Sequence, residues 1–102
     1  MQKSESLAVV QRRGNLLLRQ RPFTVSLMPG MWELPRVAAG IAGTRLFKVR
    51  HSITTTDWTI SVFAQARADF DNGNQWIPIR ELPYLPLTGL TRKVLRKLEL
   101  LA

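Results

Sequence analysis

The sequence predicts a single α+β domain over residues 1–102, built from a small mixed sheet closed by one C-terminal helix. Three observations predict it. Apolar stretches alternate or pair around tight-turn residues in the first two thirds of the chain, as strands do. Leu90, Val94, Leu98 and Leu101 recur at spacings of four, four and three near the end, as on one face of a helix. No internal repeat or low-complexity stretch divides the chain.

Taken in order, Leu7–Arg12 and Leu16–Arg21 flank Arg13-Gly14-Asn15. This reads as two strands around a tight turn, with glycine supplying the positive φ that such turns need. Pro22 cannot donate to a sheet ladder and stops the second strand. Phe23–Gly30 has no period and reads as a loop, Met31–Pro35 as a short apolar stretch, and Ala38–Gly43 as a small, flexible connection. Leu46–Ile53 and Trp58–Ala66 read as a pair of strands joined by Thr54-Thr55-Thr56-Asp57. In the second of them Trp58, Ile60, Val62 and Ala64 alternate with Thr59, Ser61, Phe63 and Gln65. A turn cluster at Asp69–Asn74 leads into a short strand, Trp76–Ile79, and then into an extended connection around Pro83 and Pro86. Thr88 is the expected N-cap of the final helix, with Arg92, Lys93, Arg96 and Lys97 on its remaining surface.

Composition excludes several function classes. No apolar run approaches the ~20 residues that span a bilayer, and Met1–Leu7 lacks a signal-peptide core. With no cysteine and one histidine, disulfides, Cys-ligated zinc, iron–sulfur clusters and His-paired triads have no material here. A lone histidine such as His51 is more often a structural residue than a functional one. The seven carboxylates are scattered, Asp69 and Asp71 falling in a turn where Asp caps backbone, so no phosphate-bound Mg²⁺ cluster is visible. No glycine-rich phosphate loop is present. Fifteen Lys and Arg against seven Asp and Glu give a net charge of +8, which favours a polyanionic partner such as nucleic acid. The helix cations fit either a phosphate contact or the solvated back of an amphipathic helix. Trp32, Trp58 and Trp76 fit either base stacking or core packing, and their apolar neighbours favour the core.

Read in order, four segments resemble one family. Leu16-Leu-Leu-Arg-Gln-Arg-Pro22 resembles the second strand of the C-terminal domain of A/G-specific adenine DNA glycosylases, the MutY family. Leu27-Met-Pro-Gly-Met-Trp-Glu-Leu-Pro35 resembles its "glycine, apolar, Trp-Glu, apolar, Pro" signature. Arg50-His-Ser-Ile-Thr-Thr-Thr-Asp-Trp-Thr-Ile60 resembles its His-Thr-Phe-Ser-His loop and the strand after it. Trp76 followed by Leu82 to Leu98 resembles its closing segment. Together they cover nearly the whole chain.

The resemblance implies a Nudix-like (MutT-like) fold. Only fifteen residues separate Pro35 from His51, and no Nudix box with its Arg-Glu and paired Glu residues is present. The first Nudix helix is therefore expected to be absent or much reduced. The resemblance further implies a non-catalytic C-terminal fragment that binds double-stranded DNA and recognises 8-oxoguanine opposite adenine. Adenine excision would fall to an N-terminal glycosylase domain of the same parent, which carries the catalytic acid and the iron–sulfur cluster. No cofactor or metal is expected in this chain, no membrane partner, and a bacterial cytoplasmic, nucleoid-associated location.

By position in the motif, the family's lesion-contacting serine corresponds to Thr54, its phenylalanine to Ile53 and its second histidine to Thr55, while His51 retains the first histidine and Ser52 lies between. Lys48 and Arg50 are the expected contacts to the DNA backbone. The chemistry suits Thr54: oxidation turns guanine N7 from acceptor to N–H donor and adds a C8 carbonyl, and a hydroxyl can both accept and donate. Ile53 keeps an apolar wedge without aromatic stacking, and Thr55 hydrogen-bonds with less reach than histidine. Three threonines also suit a plain polar turn. Two other readings stand beside this one: a degenerate Nudix hydrolase of an oxidised nucleotide, and a protein-interaction module using the loop Phe23–Met31.

Overall fold

A computed structural model of the chain describes residues 2–37, 43–64 and 73–102. Seven strands appear: β1 (Gln2–Val9), β2 (Gln11–Arg12), β3 (Asn15–Gln20), β4 (Trp32–Glu33), β5 (Thr44–Ile53), β6 (Thr56–Ala64) and β7 (Asn74–Pro78). A 3-10 helix, Ile79–Tyr84, and one α-helix, α1 (Gly89–Lys97), complete the described elements. The expected α+β class with a C-terminal helix is what the chain adopts.

The strands form two sheets. In the first, β6 is central, parallel to β1 with Leu7 opposite Val62, and antiparallel to β5 with Val49 opposite Ile60. In the second, β3 is central: β7 runs antiparallel along one side, while β2 and β4 share the other. The period-two pattern decides which faces meet. Leu7 and Val9 of β1, Leu16 and Leu18 of β3, Val49 of β5, and Ile60 and Val62 of β6 are buried together with Val94 and Leu95 of α1. Burying leucine-, valine- and isoleucine-sized side chains contributes roughly 1.5–3 kcal/mol each, and in β3 and β6, where buried and less buried residues alternate, it fixes the register.

Turn chemistry agrees with the sequence at Arg13-Gly14, where both residues have positive φ, 52° and 78°, and Arg12 pairs with Asn15. Two consecutive left-handed residues match the right-handed twist of the strands they join. The strand before this turn is interrupted at Val10, so Leu7–Arg12 is divided between the two sheets.

Three expectations are corrected. The connection around Pro83 and Pro86 is not extended throughout, since Ile79–Tyr84 turns as a 3-10 helix that carries Leu82 into the core at 0% exposure. Leu101 does not extend the helical face. The helix ends at Lys97, Leu98 is its C-cap, and Glu99 has φ 61°. Glu99 N–H donates to Arg96 O and Leu100 N–H to Leu95 O, the paired bonds of a Schellman turn, and this reversal brings Leu101 back onto the core. Trp76 is 41% exposed rather than packed inside, with the Arg12 guanidinium 5.2 Å from its ring centroid. Arg36 and Val37 make bridges or hydrogen bonds to β1, and the described residues hold no helix between β4 and β5. Most of the expected linker Ala38–Gly43, at 38–42, most of the turn cluster Asp69–Asn74, at 69–72, and the last two residues of the strand expected to reach Ala66 lie outside the described residues.

Candidate functional site

β5 and β6 meet at a two-residue tip. Ile53 pairs with Thr56, which leaves Thr54 and Thr55 as the turn. Thr54 takes φ 55°. A β-branched residue is a steric outlier there, a conformation that costs on the order of 1–3 kcal/mol and that sheet pairing on both sides must hold in place. The Thr54 hydroxyl donates to the Ile53 carbonyl at 2.7 Å, which commits its proton and leaves the oxygen's lone pairs exposed at the tip. Both tip residues are exposed.

Behind the tip, alternation along β5 divides the sequence-predicted residues. His51 and Ile53 turn with Phe47 and Val49 toward the interior side, whereas Lys48, Arg50 and Ser52 are exposed on the other. The structure thus brings Thr54 and Thr55 together, groups Lys48 with Arg50, and separates His51 and Ile53 from both. Ser52 donates to Asp57 Oδ1 at 2.6 Å, locking the hairpin one pair below Ile53 and Thr56.

His51 and Ile53 face a cleft of about 720 Å³ between the two sheets and the start of α1. Burial, then the Lys93 ammonium, hold the His51 imidazole below its ordinary pKa of 6.5, so it is neutral at pH 7. Trp58, one place after Asp57, lines the same cleft, with the Lys3 ammonium 5.6 Å from its ring centroid. The cleft also contains an arginine–glutamate network that the sequence reading missed. Arg19 stands opposite Glu33 in the β3–β4 register and donates to its Oε2 at 2.7 Å, and Arg21, two residues on and thus on the same face, reaches Oε1 at 3.2 Å. Across the cleft Arg36 pairs with Glu5. The available signal was the Arg-x-Arg spacing in a strand followed by Trp-Glu, but only the register reveals that one carboxylate serves both arginines.

The expected Nudix-like fold raises the question of a divalent cation, which needs several convergent carboxylates. The residues do not fit one. Glu5 and Glu33 are engaged by arginines, Asp57 accepts from Ser52, and no group of three His, Asp or Glu side chains converges among the described residues.

The NUDIX domain family model matches residues 6–97. Among solved structures, a MutT NUDIX hydrolase from Burkholderia pseudomallei superposes with a TM-score of 0.70 at 23% identity, covering 94% of this chain and 97% of that one. The C-terminal domain of mouse MUTYH, solved in complex with human PCNA, gives a TM-score of 0.66 at 22% identity, covering 94% and 86%. A MutT protein from Methanosarcina mazei Go1 gives 0.71 at 15% identity, covering 96% and 93%. At such identities the likeness speaks for the fold. No curated protein matches the chain in sequence.

Proposed function

The chain belongs to the NUDIX domain family, and from that premise we propose that it acts as a DNA-repair binding domain: it holds duplex DNA and reads 8-oxoguanine opposite adenine, in support of adenine excision by a glycosylase domain. The observation that carries this reading is the tip of the β5–β6 hairpin. Thr54 is exposed, held at positive φ, and its proton is given to Ile53 O. What it offers a ligand is therefore an acceptor. The N7–H of 8-oxoguanine donates to such an oxygen, while the N7 lone pair of guanine meets it with repulsion. The hydroxyl would discriminate as an oriented acceptor, a narrower role than its chemistry alone allows.

Thr55 completes the exposed tip, and Ile53 and His51 support it from the cleft side. Lys48 and Arg50 take phosphates, which set register and affinity without reading sequence. Contact at the lesion would stabilise the opened duplex while the adenine is extruded, a step that costs a few kcal/mol. The engaged carboxylates of the cleft favour binding over metal-assisted hydrolysis.

The deciding experiment compares 8-oxoguanine:adenine with guanine:adenine duplexes, by titration of the chain and by excision in the parent enzyme. Thr54→Ala is expected to shrink the preference by 1–3 kcal/mol, about 5- to 150-fold. An unchanged preference sinks the reading.

The cleft favours a second one. At about 720 Å³ it is large enough for a nucleotide, and Trp58 and the neutral His51 line it. A degenerate hydrolase of an oxidised nucleotide would use this cleft rather than the hairpin tip. Incubation with 8-oxo-dGTP and Mg²⁺ separates the two, since turnover favours the cleft.

A further inference from the structure

Two of the cations of α1, Lys93 and Lys97, sit beside β5. Lys93 Nζ donates to the Arg50 carbonyl at 2.6 Å, although 43 residues separate them. Lys97 Nζ stands 5.5 Å from the Phe47 ring centroid. α1 therefore runs along β5 in the opposite direction, Lys93 beside residue 50 and Lys97 beside residue 47. Among the described elements β5 pairs only with β6, so the edge that Lys93 reaches is a free one. Lys48 and Arg50 lie exposed on one side of that edge, and Lys93 and Lys97 come over it from the other.

Local rules oppose this arrangement in the isolated domain. Arg92 with Arg96, and Lys93 with Lys97, are like-charged pairs at i and i+4, each unfavourable by roughly 0.2–0.5 kcal/mol at low salt. No acidic residue stands in the first turn, where the helix dipole would favour one. The ion pairs among the described residues take up Arg19, Arg21 and Arg36, all at the cleft. None reaches Lys48, Arg50, Lys93 or Lys97. A solvated helix back would ordinarily intersperse both signs. Along α1 the charge is of one sign, and an anionic partner relieves its repulsion.

We propose that Lys93 and Lys97 of α1 join Lys48 and Arg50 around the free edge of β5 as one phosphate-binding track for duplex DNA, separate from the hairpin tip. The proposal rests on the reading above for its partner and for Lys48 and Arg50, and adds the two lysines of α1. The two lysines of α1 extend over about 6 Å of helix axis and the two residues of β5 over about 7 Å, so adjacent phosphates along a strand are within reach of the set.

The test is the salt dependence of duplex binding by the full chain. Each phosphate contact contributes about 0.9 to the slope of log K against log salt. Lys93→Gln with Lys97→Gln, which keeps a helix-forming side chain and a donor for Arg50 O, is expected to lower the slope by about 1.8. Between 50 and 200 mM salt the unaltered chain would then lose roughly tenfold more affinity than the variant. The comparison is Arg12→Gln with Arg13→Asn, which removes the same charge from the turn of the other sheet and should leave the slope as it was. A retained slope in the lysine variant, or an equal fall in the comparison variant, overturns the track. If the double variant melts early, Lys97→Gln alone is read for half the change. Both 8-oxoguanine:adenine and guanine:adenine duplexes are used. A chain without preference between them refutes lesion reading, while a slope that falls on both still supports the track.

Discussion

Thr91 Oγ1 accepts a hydrogen bond from the Leu34 backbone N–H at 3.2 Å, across 57 residues of sequence, and both residues are buried. The same hydroxyl receives the Thr88 hydroxyl at 2.8 Å, while Thr88 Oγ1 accepts the Thr91 N–H as the helix N-cap. This knot ties the start of α1 to the Trp-Glu-Leu-Pro segment, and so sets one wall of the cleft relative to another.

Thr91→Val keeps the shape and removes the acceptor. Leu34 N–H is then buried without its partner, and the domain is expected to lose about 1–3 kcal/mol in urea unfolding. Thr88→Ala should cost about 1 kcal/mol through the lost cap. The double variant should fall short of the sum, because both changes dismantle one network.

Glu33→Gln tests the arginine pair. Arg19 and Arg21 are 30% and 22% exposed at their side chains, so the bridges are partly screened. Losing the charge that serves both is expected to cost about 1–2 kcal/mol, more at low salt than at high. Unfolding curves at two ionic strengths check it.

Thr54→Gly separates stability from recognition. Glycine adopts φ 55° without the Cβ penalty, so unfolding should become harder by about 1 kcal/mol after its greater unfolded-state entropy is subtracted. Under the proposed function, the preference for 8-oxoguanine:adenine over guanine:adenine duplexes should fall in the same variant.

His51 gives a pH dependence of known sign. Its folded pKa lies below the ordinary 6.5, so the unfolded chain binds the proton more readily. Its contribution to stability is complete above 6.5 and is lost as pH falls from there toward the folded value. His51→Gln should remove that part of the loss, seen as a flatter stability profile between neutral and mildly acidic pH.

Much of this was legible in the chain. Arg13-Gly14 announced a turn through glycine's freedom at positive φ, and the alternation from Trp58 to Ala64 announced β6, because local sterics and period-two burial act over neighbouring residues. The hairpin tip was legible too, since Thr54 and Thr55 stand between two strand patterns. The 3-10 helix at Ile79–Tyr84 was not: its proline suggested extension, and only the pocket waiting for Leu82 bends the chain. The return of Leu101 rests on Glu99 entering a left-handed turn, which no glycine advertised.

The sequence by itself determined the charge excess, the strand and helix content, the capped start of α1 and the hydroxyls at the tip, because composition and short-range periodicity are properties of neighbours. The tertiary structure alone decided that Glu33 serves two arginines and that Lys93 lies against residue 50. Those are meetings of residues 12 to 43 positions apart, chosen by which apolar faces bury against one another rather than by any pattern along the chain.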